Sequence, residues 1–340
     1  MSESAAGPGE APVITVVSPV VEAELAEAVV SIDWSPAGRL AVLTADGRAM
    51  VDDLQRASNP VGGAVRSLTW IDDGLLAVAD HRLGIVVAGG GDPAMHPLMR
   101  ARVVVGRRER LVAVGGELAW SLDRDGAVVA VPGRCGELRA VSFVTASLVA
   151  VAGTDGIALV DLALGVVDTR VELEAPLSVA ADPTGEILAA GDLGGSIHVL
   201  RVGDEAVGRE LTGYPDRVRL VAWADRGRWL LATADDELTC WPVVGAPGGA
   251  WPAAEPESCL GHEAMITALS ATPNCDLAAT GDASGGVAVW SLRSPHRPIA
   301  RSETSGEVTA IAWSADGTRL AVGDVSGSLQ VHAVARGQVA

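Results

Sequence analysis

The stretch VTAIAWSADGTRLAVGDVSGSLQVHAV, residues 308–334, carries the pattern that decides the fold. Apolar and small polar residues alternate up to Trp313, a turn of small and polar residues follows, and two further apolar segments flank a second turn at 324–327. An alternation of period two between turn residues is typical of half-buried β-strands. The stretch therefore predicts three short antiparallel strands joined by tight turns.

The same unit recurs through the chain, for example as VVSIDWSPAGRLAVLTADGRAMVDDL at residues 29–54. Further units begin near Val65, Ala101, Leu138, Pro176, Val218 and Ile266. The position five residues after the start is repeatedly aromatic: Trp34, Trp70, Phe143, Trp223 and Trp313. The unit from Ala101 is atypical and has Gly106 there. Neighbouring starts lie 36 to 48 residues apart, which is the period of a four-stranded propeller blade. The sequence therefore predicts an all-β, closed β-propeller of four-stranded antiparallel blades, with eight blades favoured and seven as the alternative.

The two ends of the chain predict how the ring closes. The last unit stops after its third strand, near Val334, while VVEAELAEA at 20–28 is similar to fourth segments such as VVDTRVELEA at 166–175. An N-terminal strand that completes the last blade would remove a free sheet edge. We expect a flexible leader at 1–12, a single propeller domain at 13–335 and a short tail at 336–340.

Several segments resemble the repeat of the WD40 family, namely IDWSPAG at 32–38, IAWSADG at 311–317 and LAATGDASGG at 277–286. The resemblance covers roughly residues 20–335, although the chain has one Gly-His pair and no Trp-Asp dipeptide. It implies a hydrogen-bonded tetrad of His, Ser/Thr, Asp and Trp inside a blade. The blade from Ile266 approaches that tetrad with His262, Thr280, Asp282 and Trp290. The other blades are expected to rely on apolar packing, with tryptophans between blades at Trp34, Trp70, Trp223 and Trp313.

Composition limits the expected partners. The chain has 43 Asp and Glu against 25 Lys and Arg, a formal net charge of −18. A nucleic-acid partner is not expected, because phosphate contacts require positive charge. A membrane partner is not expected either, since no apolar run reaches the roughly 18 residues of a spanning helix. The four cysteines, at Cys135, Cys240, Cys259 and Cys275, lack metal-ligand spacing, and we expect free, buried thiols in a cytoplasmic protein.

The sequence indicates no catalytic residue, no metal site and no cofactor. It contains no nucleophile elbow, zinc-protease motif or phosphate-binding loop, and its six histidines fall in different units. Aspartates recur at the second turns: Asp46, Asp80, Asp155, Asp192, Asp235, Asp236, Asp282 and Asp324. Such side chains commonly hydrogen-bond their own turn, which we favour over calcium binding or acid–base chemistry.

The expected function is a non-catalytic scaffold or adaptor, a subunit of a larger assembly that binds proteins at the rim of the central channel. Arginines suited to carboxylate capture are predicted near that rim: Arg66, Arg82, Arg100, Arg102, Arg139, Arg217 and Arg219. They would receive an acidic peptide or loop, unless they neutralise the turn aspartates instead. Trp251 is a candidate interface anchor or packs on a blade edge. The alternatives are a hydrolase or lyase, or a small-molecule or metal sensor, with a site in the channel.

Overall fold

The computed structural model describes the following parts of the chain: residues 14–52, 56–57, 66–80, 82–87, 94–96, 101–107, 110–122, 128–245, 251–253 and 255–336. The regular structure in these parts is β-sheet, apart from one short 3-10 turn at Asp225–Gly227. None of the described segments forms a helix of the length and apolarity needed to cross a membrane.

The described strands form eight sheets. The chain starts with β1 (Ile14–Glu24), which belongs to the last blade. Blade 1 is β2 (Val29–Trp34), β3 (Leu40–Thr44), β4 (Ala49–Val51) and β5 (Arg56–Ala57). Blade 2 is β6 (Ser67–Trp70), β7 (Leu75–Asp80), β8 (Arg82–Val87) and β9 (Ala94–His96). Blade 3 is β10 (Val103–Arg107), β11 (Arg110–Gly115), β12 (Leu118–Leu122) and β13 (Val128–Pro132). Blade 4 is β14 (Leu138–Phe143), β15 (Leu148–Gly153), β16 (Gly156–Asp161) and β17 (Val166–Glu172).

The second half of the ring repeats this plan. Blade 5 is β18 (Pro176–Ala181), β19 (Ile187–Asp192), β20 (Ile197–Arg201) and β21 (Asp204–Leu211). Blade 6 is β22 (Leu220–Ala224), β23 (Trp229–Ala234), β24 (Glu237–Val244) and an outer edge split into β25 (Trp251–Pro252) and β26 (Glu257–Cys259). Blade 7 is β27 (Ile266–Ala271), β28 (Leu277–Asp282), β29 (Gly286–Ser291) and β30 (Ala300–Glu303). Blade 8 is β31 (Val308–Trp313), β32 (Arg319–Asp324), β33 (Ser328–Arg336) and β1.

The blades form a closed ring. Within each sheet the strands pair antiparallel in the order of the chain, with β1 added to the end of blade 8. The first strands contact one another in the cyclic order β31, β2, β6, β10, β14, β18, β22, β27 and back to β31. These strands therefore surround the channel, and the predicted closed β-propeller of four-stranded blades is confirmed.

The closure follows the predicted route through the N-terminal strand. β1 pairs antiparallel with β33, from Ile14 opposite Arg336 to Glu24 opposite Ser328. The register shifts on both sides of Pro19, which fits an outermost strand because proline has no N–H for a second ladder. Blade 8 is thus built from both ends of the described chain, so the ring cannot open there without breaking this ladder.

Tryptophans clamp the blades together, as predicted. The indole N–H of Trp34 donates to the carbonyl of Ala312 at 3.0 Å, and that of Trp223 donates to the carbonyl of Ala180 at 3.1 Å. Trp70 makes the same contact to the carbonyl of Asp33 at 3.2 Å. Each bond joins a blade to the blade before it. At these three tryptophans the aromatic position therefore serves both packing and hydrogen bonding between blades.

The missing aromatic of blade 3 has a steric cause. A Cβ at Gly106 would overlap the backbone carbonyl oxygen of Trp70 in the neighbouring blade. The N–H of Gly106 instead donates to the hydroxyl of Thr69 at 3.1 Å. Close approach of two inner strands at this point therefore requires glycine.

Polar side chains of the inner strands bind the backbone of the next blade. Asp33 accepts the N–H of Trp70 at 3.0 Å, Ser142 accepts that of Ala181 at 3.0 Å, and Ser270 accepts that of Trp313 at 3.2 Å. Burial raises the pKa of Asp33, although the hydrogen bonds from Trp70, Thr69 and Trp34 oppose this effect. These bonds satisfy backbone donors that have no ladder partner on the channel side.

Candidate functional site

The part of the channel wall formed by β2, β22, β27 and β31 offers little chemistry. A cavity of about 220 Å³ lies among β2, β22, β27 and β31 and is lined by aliphatic side chains together with Ser31, Thr267 and Thr309. The two threonine hydroxyls donate to carbonyl groups, Thr267 to Val308 at 2.6 Å and Thr309 to Val29. No titratable side chain is among the residues that line this cavity. This part of the channel holds hydroxyls and backbone groups, but no acid–base pair.

The structure brings the four tetrad residues of blade 7 together. Nδ1 of His262 lies 2.6 Å from Oδ2 of Asp282, and Nε2 lies 2.6 Å from the hydroxyl of Thr280. The indole N–H of Trp290 donates to that same hydroxyl oxygen at 2.8 Å. The donors and acceptors all match when Nδ1 of His262 carries the proton and Thr280 donates to Nε2. The tetrad therefore uses both ring nitrogens of its histidine.

Asp282 is held as an ionised turn residue. It accepts the N–H of Ser284 at 2.8 Å, the N–H of Gly286 at 2.9 Å and the Ser284 hydroxyl at 2.7 Å. Burial raises the pKa of Asp282, but the hydrogen bonds from Ser284, His262 and Gly286 outweigh it, so that the pKa lies below its ordinary value. The carboxylate is thus committed to the turn and the tetrad.

The second-turn aspartates of other blades repeat this pattern. Asp324 accepts the N–H groups of Ser326 and Ser328 at 2.9 and 2.8 Å, and Asp192 accepts the N–H of Ser196 at 2.8 Å. These contacts are those expected of turn-forming aspartates. In the described parts of the chain, no group of three or more His, Cys, Asp or Glu side chains is arranged to hold a metal ion.

Blade 5 contains a second Asp–His contact that the sequence reading missed. Nε2 of His198 lies 2.8 Å from Oδ2 of Asp192, and the hydroxyl of Ser196 donates to Glu210 at 2.8 Å. His198 stands on β20, whereas His262 precedes the inner strand of its blade. The only signal in the sequence was the stretch GDLGGSIHVL at 191–200, where a histidine follows the turn aspartate by six residues.

Four predicted arginines occupy one equivalent position around the channel mouth. Arg66, Arg102, Arg139 and Arg219 are each the second residue of their unit, where the innermost strand begins. Because strands one and two of a blade are antiparallel, this point lies beside the second turn. The register shifts there in five blades, with Arg139 as the extra residue of β14. Such bulges re-aim side chains at the rims of sheets.

The contacts of these arginines leave much of their hydrogen-bonding capacity unused. Arg102 forms an ion pair with Glu137 at 2.9 Å, and both side chains are about half exposed. Arg219 has a guanidinium nitrogen 3.0 Å from the sulfur of Met265. Among the described residues, Arg66 and Arg139 have no ion pair with a carboxylate. None of the contacts described for Arg66, Arg102, Arg139 and Arg219 is therefore an ion pair with a second-turn aspartate.

The other predicted binding residues lie elsewhere or beyond the described part. Arg217 is exposed and lies 3.6 Å from Asp216. Arg82 belongs to β8, but its side chain lies outside the described residues, as does all of Arg100. Trp251 is half-buried and packs under the guanidinium groups of Arg201 and Arg209, whose carbons lie 5.0 and 5.4 Å from its ring centre. It therefore seals the outer contact between blades 5 and 6, away from the channel mouth.

Three comparisons place the chain among known proteins. The sequence profile of the anaphase-promoting complex subunit 4 WD40 domain matches residues 269–340. A periodic tryptophan protein 2 homolog of Caenorhabditis elegans is 28% identical over 124 residues, which is 35% of this chain and 13% of that protein. The chain thus aligns with only a small part of this relative.

Among solved structures, the computationally designed Ika8 protein is similar with a TM-score of 0.78 and 18% sequence identity. The match covers 93% of this chain and 100% of the designed one, and at this identity it supports the fold alone. The recurring repeat, the closed ring of blades, the tetrad of blade 7 and the two sequence matches agree with one another. The chain is a closed β-propeller whose repeats are similar to those of the WD40 family.

Proposed function

We propose that this propeller is a non-catalytic protein-interaction scaffold, a subunit of a larger assembly, that binds an acidic segment of a partner protein at its channel mouth. The observation that carries the proposal is the equivalence of Arg66, Arg102, Arg139 and Arg219, which repeat one position around the ring. Three of these arginines begin the successive blades 2, 3 and 4 and the fourth begins blade 6, so a single extended segment could contact several of them.

Electrostatics supports an acidic partner. A guanidinium group binds a carboxylate with two parallel hydrogen bonds, and this geometry favours arginine over lysine. The chain carries a net charge of −18, so most of its surface repels acidic segments while this sector attracts them. The partner would thus be oriented as well as bound.

Assembly into a larger complex has support from the comparisons. One matching family is named for a subunit of the anaphase-promoting complex, and propellers provide wide, rigid faces around a channel. The inner strands here are joined across blades by tryptophan and serine hydrogen bonds. A rigid mouth loses little conformational entropy when a partner binds.

A hydrolase, a lyase or a small-molecule or metal sensor has weaker support. A cavity of about 470 Å³ beside the tetrad is lined in part by His262, Asp282, Glu263 and Arg301. Both ring nitrogens of His262 already have partners inside the blade. A general base needs a free nitrogen within hydrogen-bond reach of its substrate, and this histidine has none to offer.

The proposal is tested by reversing charge at the mouth. The double variant Arg66→Glu/Arg139→Glu is used because neither side chain has an ion pair with a described carboxylate, so the fold should survive. Tagged wild-type and variant proteins are purified from the native host, and co-purifying proteins are quantified by mass spectrometry. We expect at least one partner enriched by the wild type to fall by about tenfold or more with the variant, as for the loss of buried charged contacts.

The matched control reverses two arginines on the opposite face, Arg107→Glu and Arg226→Glu, both of which are exposed at first turns. It changes the net charge equally, and its partner enrichment should equal that of the wild type. Equal loss in both variants would indicate a nonspecific charge effect. Unchanged enrichment with the mouth variant would rule out the arginine surface.

A further inference from the structure

Two cysteines face each other across the third and outermost strands of blade 6. β24 and β26 pair antiparallel with Leu238 opposite Cys259 and Cys240 opposite Glu257. The cysteines are therefore diagonal neighbours on one face of the sheet, a placement that lets side chains interact. Their sulfur atoms lie 2.9 Å apart, and no bond joins them.

The pair is buried at the joint between blades 6 and 7. Both thiols are fully buried and pack with residues that include Ile266 and Trp290. Cys259 lies on a strand of three residues at the outer edge of the blade, next to Leu260, which is 67% exposed. Cys259 thus lies on the short outermost strand, whereas Cys240 lies on β24, which is paired on both sides.

We propose that Cys240 and Cys259 are a redox modification site, at which a small hydroperoxide produces an intramolecular disulfide. The bond length of a disulfide is about 2.05 Å, so the sulfur atoms have to approach by about 0.9 Å. The other two cysteines of the chain, Cys135 and Cys275, lie in other core clusters. The pairing is therefore specific.

The chemistry balances in two steps. Cys259 attacks the hydroperoxide, an S–O bond forms as the O–O bond breaks, and the released oxygen leaves as water when hydrogen peroxide is the oxidant. Cys240 then attacks the sulfenic sulfur, the S–S bond forms and a second water leaves. The two thiols lose two electrons and the peroxide gains them.

Burial controls the rate of this reaction. The adjacent thiol of Cys259 and burial both raise the pKa of Cys240, and the thiolate is the reactive form of cysteine. Oxidation thus proceeds through the opened form of β26 and is slow when that strand is paired. Once formed, the disulfide fastens β26 to β24, three residues before the tetrad residue His262.

The test uses the full-length protein and hydrogen peroxide. The folded protein is oxidised, quenched, denatured and alkylated, and the remaining thiols are counted by peptide mass spectrometry. We expect two of the four cysteines to escape alkylation and to appear as one cross-linked peptide pair containing Cys240 and Cys259. The melting temperature of the oxidised protein should rise by about 5 °C, because the cross-link closes a loop of about 20 residues.

Matched variants separate this site from general oxidation. Cys135→Ser/Cys275→Ser should keep the cross-link, whereas Cys240→Ser should lose it and accumulate further oxidised forms of Cys259. The wild-type peptide map decides the question even where a variant fails to fold. Alkylation of all four cysteines, a cross-link to Cys135 or Cys275, or a disulfide between two molecules would each overturn the proposal. None of these results bears on the arginine surface, so the two proposals are tested independently.

Discussion

Replacing Thr280 by valine removes the hydroxyl at the centre of the blade 7 tetrad while its shape is nearly retained. Two groups then lose their partner: the indole N–H of Trp290, 2.8 Å from the hydroxyl, and Nε2 of His262, 2.6 Å from it. Thr280 and Trp290 are fully buried, so water cannot replace the hydroxyl. An unsatisfied buried polar group costs about 1–3 kcal/mol, and two such groups predict a loss of about 2–6 kcal/mol.

The measurement is the free energy of unfolding in guanidinium chloride, followed by tryptophan fluorescence. The control is Thr212→Val, the same chemical change at an exposed threonine, which should cost less than about 0.5 kcal/mol. A double-mutant cycle with Trp290→Phe isolates the indole bond, because Thr280→Val should cost about 1 kcal/mol less once that donor is absent. If Thr280→Val and Thr212→Val have equal stability, the tetrad does not hold the blade together and the reasoning is wrong.

Three further predictions concern pH, the tryptophan clamps and ring closure. The hydrogen bonds that lower the pKa of Asp282 stabilise the fold at pH values above the ordinary carboxyl pKa, and this contribution is lost as the pH falls through the lowered pKa. When the free energy of unfolding is measured as a function of pH, Asp282→Asn should therefore lose less stability on the acid side than the wild type does. Trp223→Phe loses the indole hydrogen bond to Ala180, whereas the indole nitrogen of Trp313 is buried without a partner among the described residues. Trp223→Phe should therefore lower the free energy of unfolding by about 0.5–1.5 kcal/mol more than Trp313→Phe does. Equal losses in chemical denaturation would contradict the role of Trp223 as a clamp between blades. Deletion of residues 1–24 leaves β33 as an unpaired edge and should cause aggregation in light scattering, and addition of a peptide of residues 14–24 should reverse it, whereas unchanged solubility would argue against closure by β1.

Much of the fold could be read from local sequence patterns. The alternating segments before Trp34 and Trp313 and the turns that follow became strands and turns within about a residue of their predicted starts. The similarity of 20–28 to the fourth segments predicted β1 as the closing strand, and the resemblance to the WD40 repeat implied one tetrad at His262, Thr280, Asp282 and Trp290. These features depend on residues close in sequence or on a pattern repeated many times.

Contacts between residues of different blades could not be predicted from local sequence patterns. The contact of Trp251 with Arg201 and Arg209 joins blades 5 and 6, and Gly106 is explained only by the neighbouring carbonyl of Trp70. Neither distance depends on the local pattern, because both are set by how closely the inner strands and outer edges approach in the ring.

The sequence by itself determined the repeating blade and the closure by the N-terminal strand, since strand alternation, turn residues and repeat spacing are local properties, and its resemblance to the WD40 repeat indicated the tetrad. Only the tertiary structure decided which polar side chains meet. It placed His198 against Asp192 and brought the sulfur of Cys240 to 2.9 Å from that of Cys259. The physical reason is that these contacts depend on strand register and turn geometry within a blade, which set the side chains that face each other on neighbouring strands.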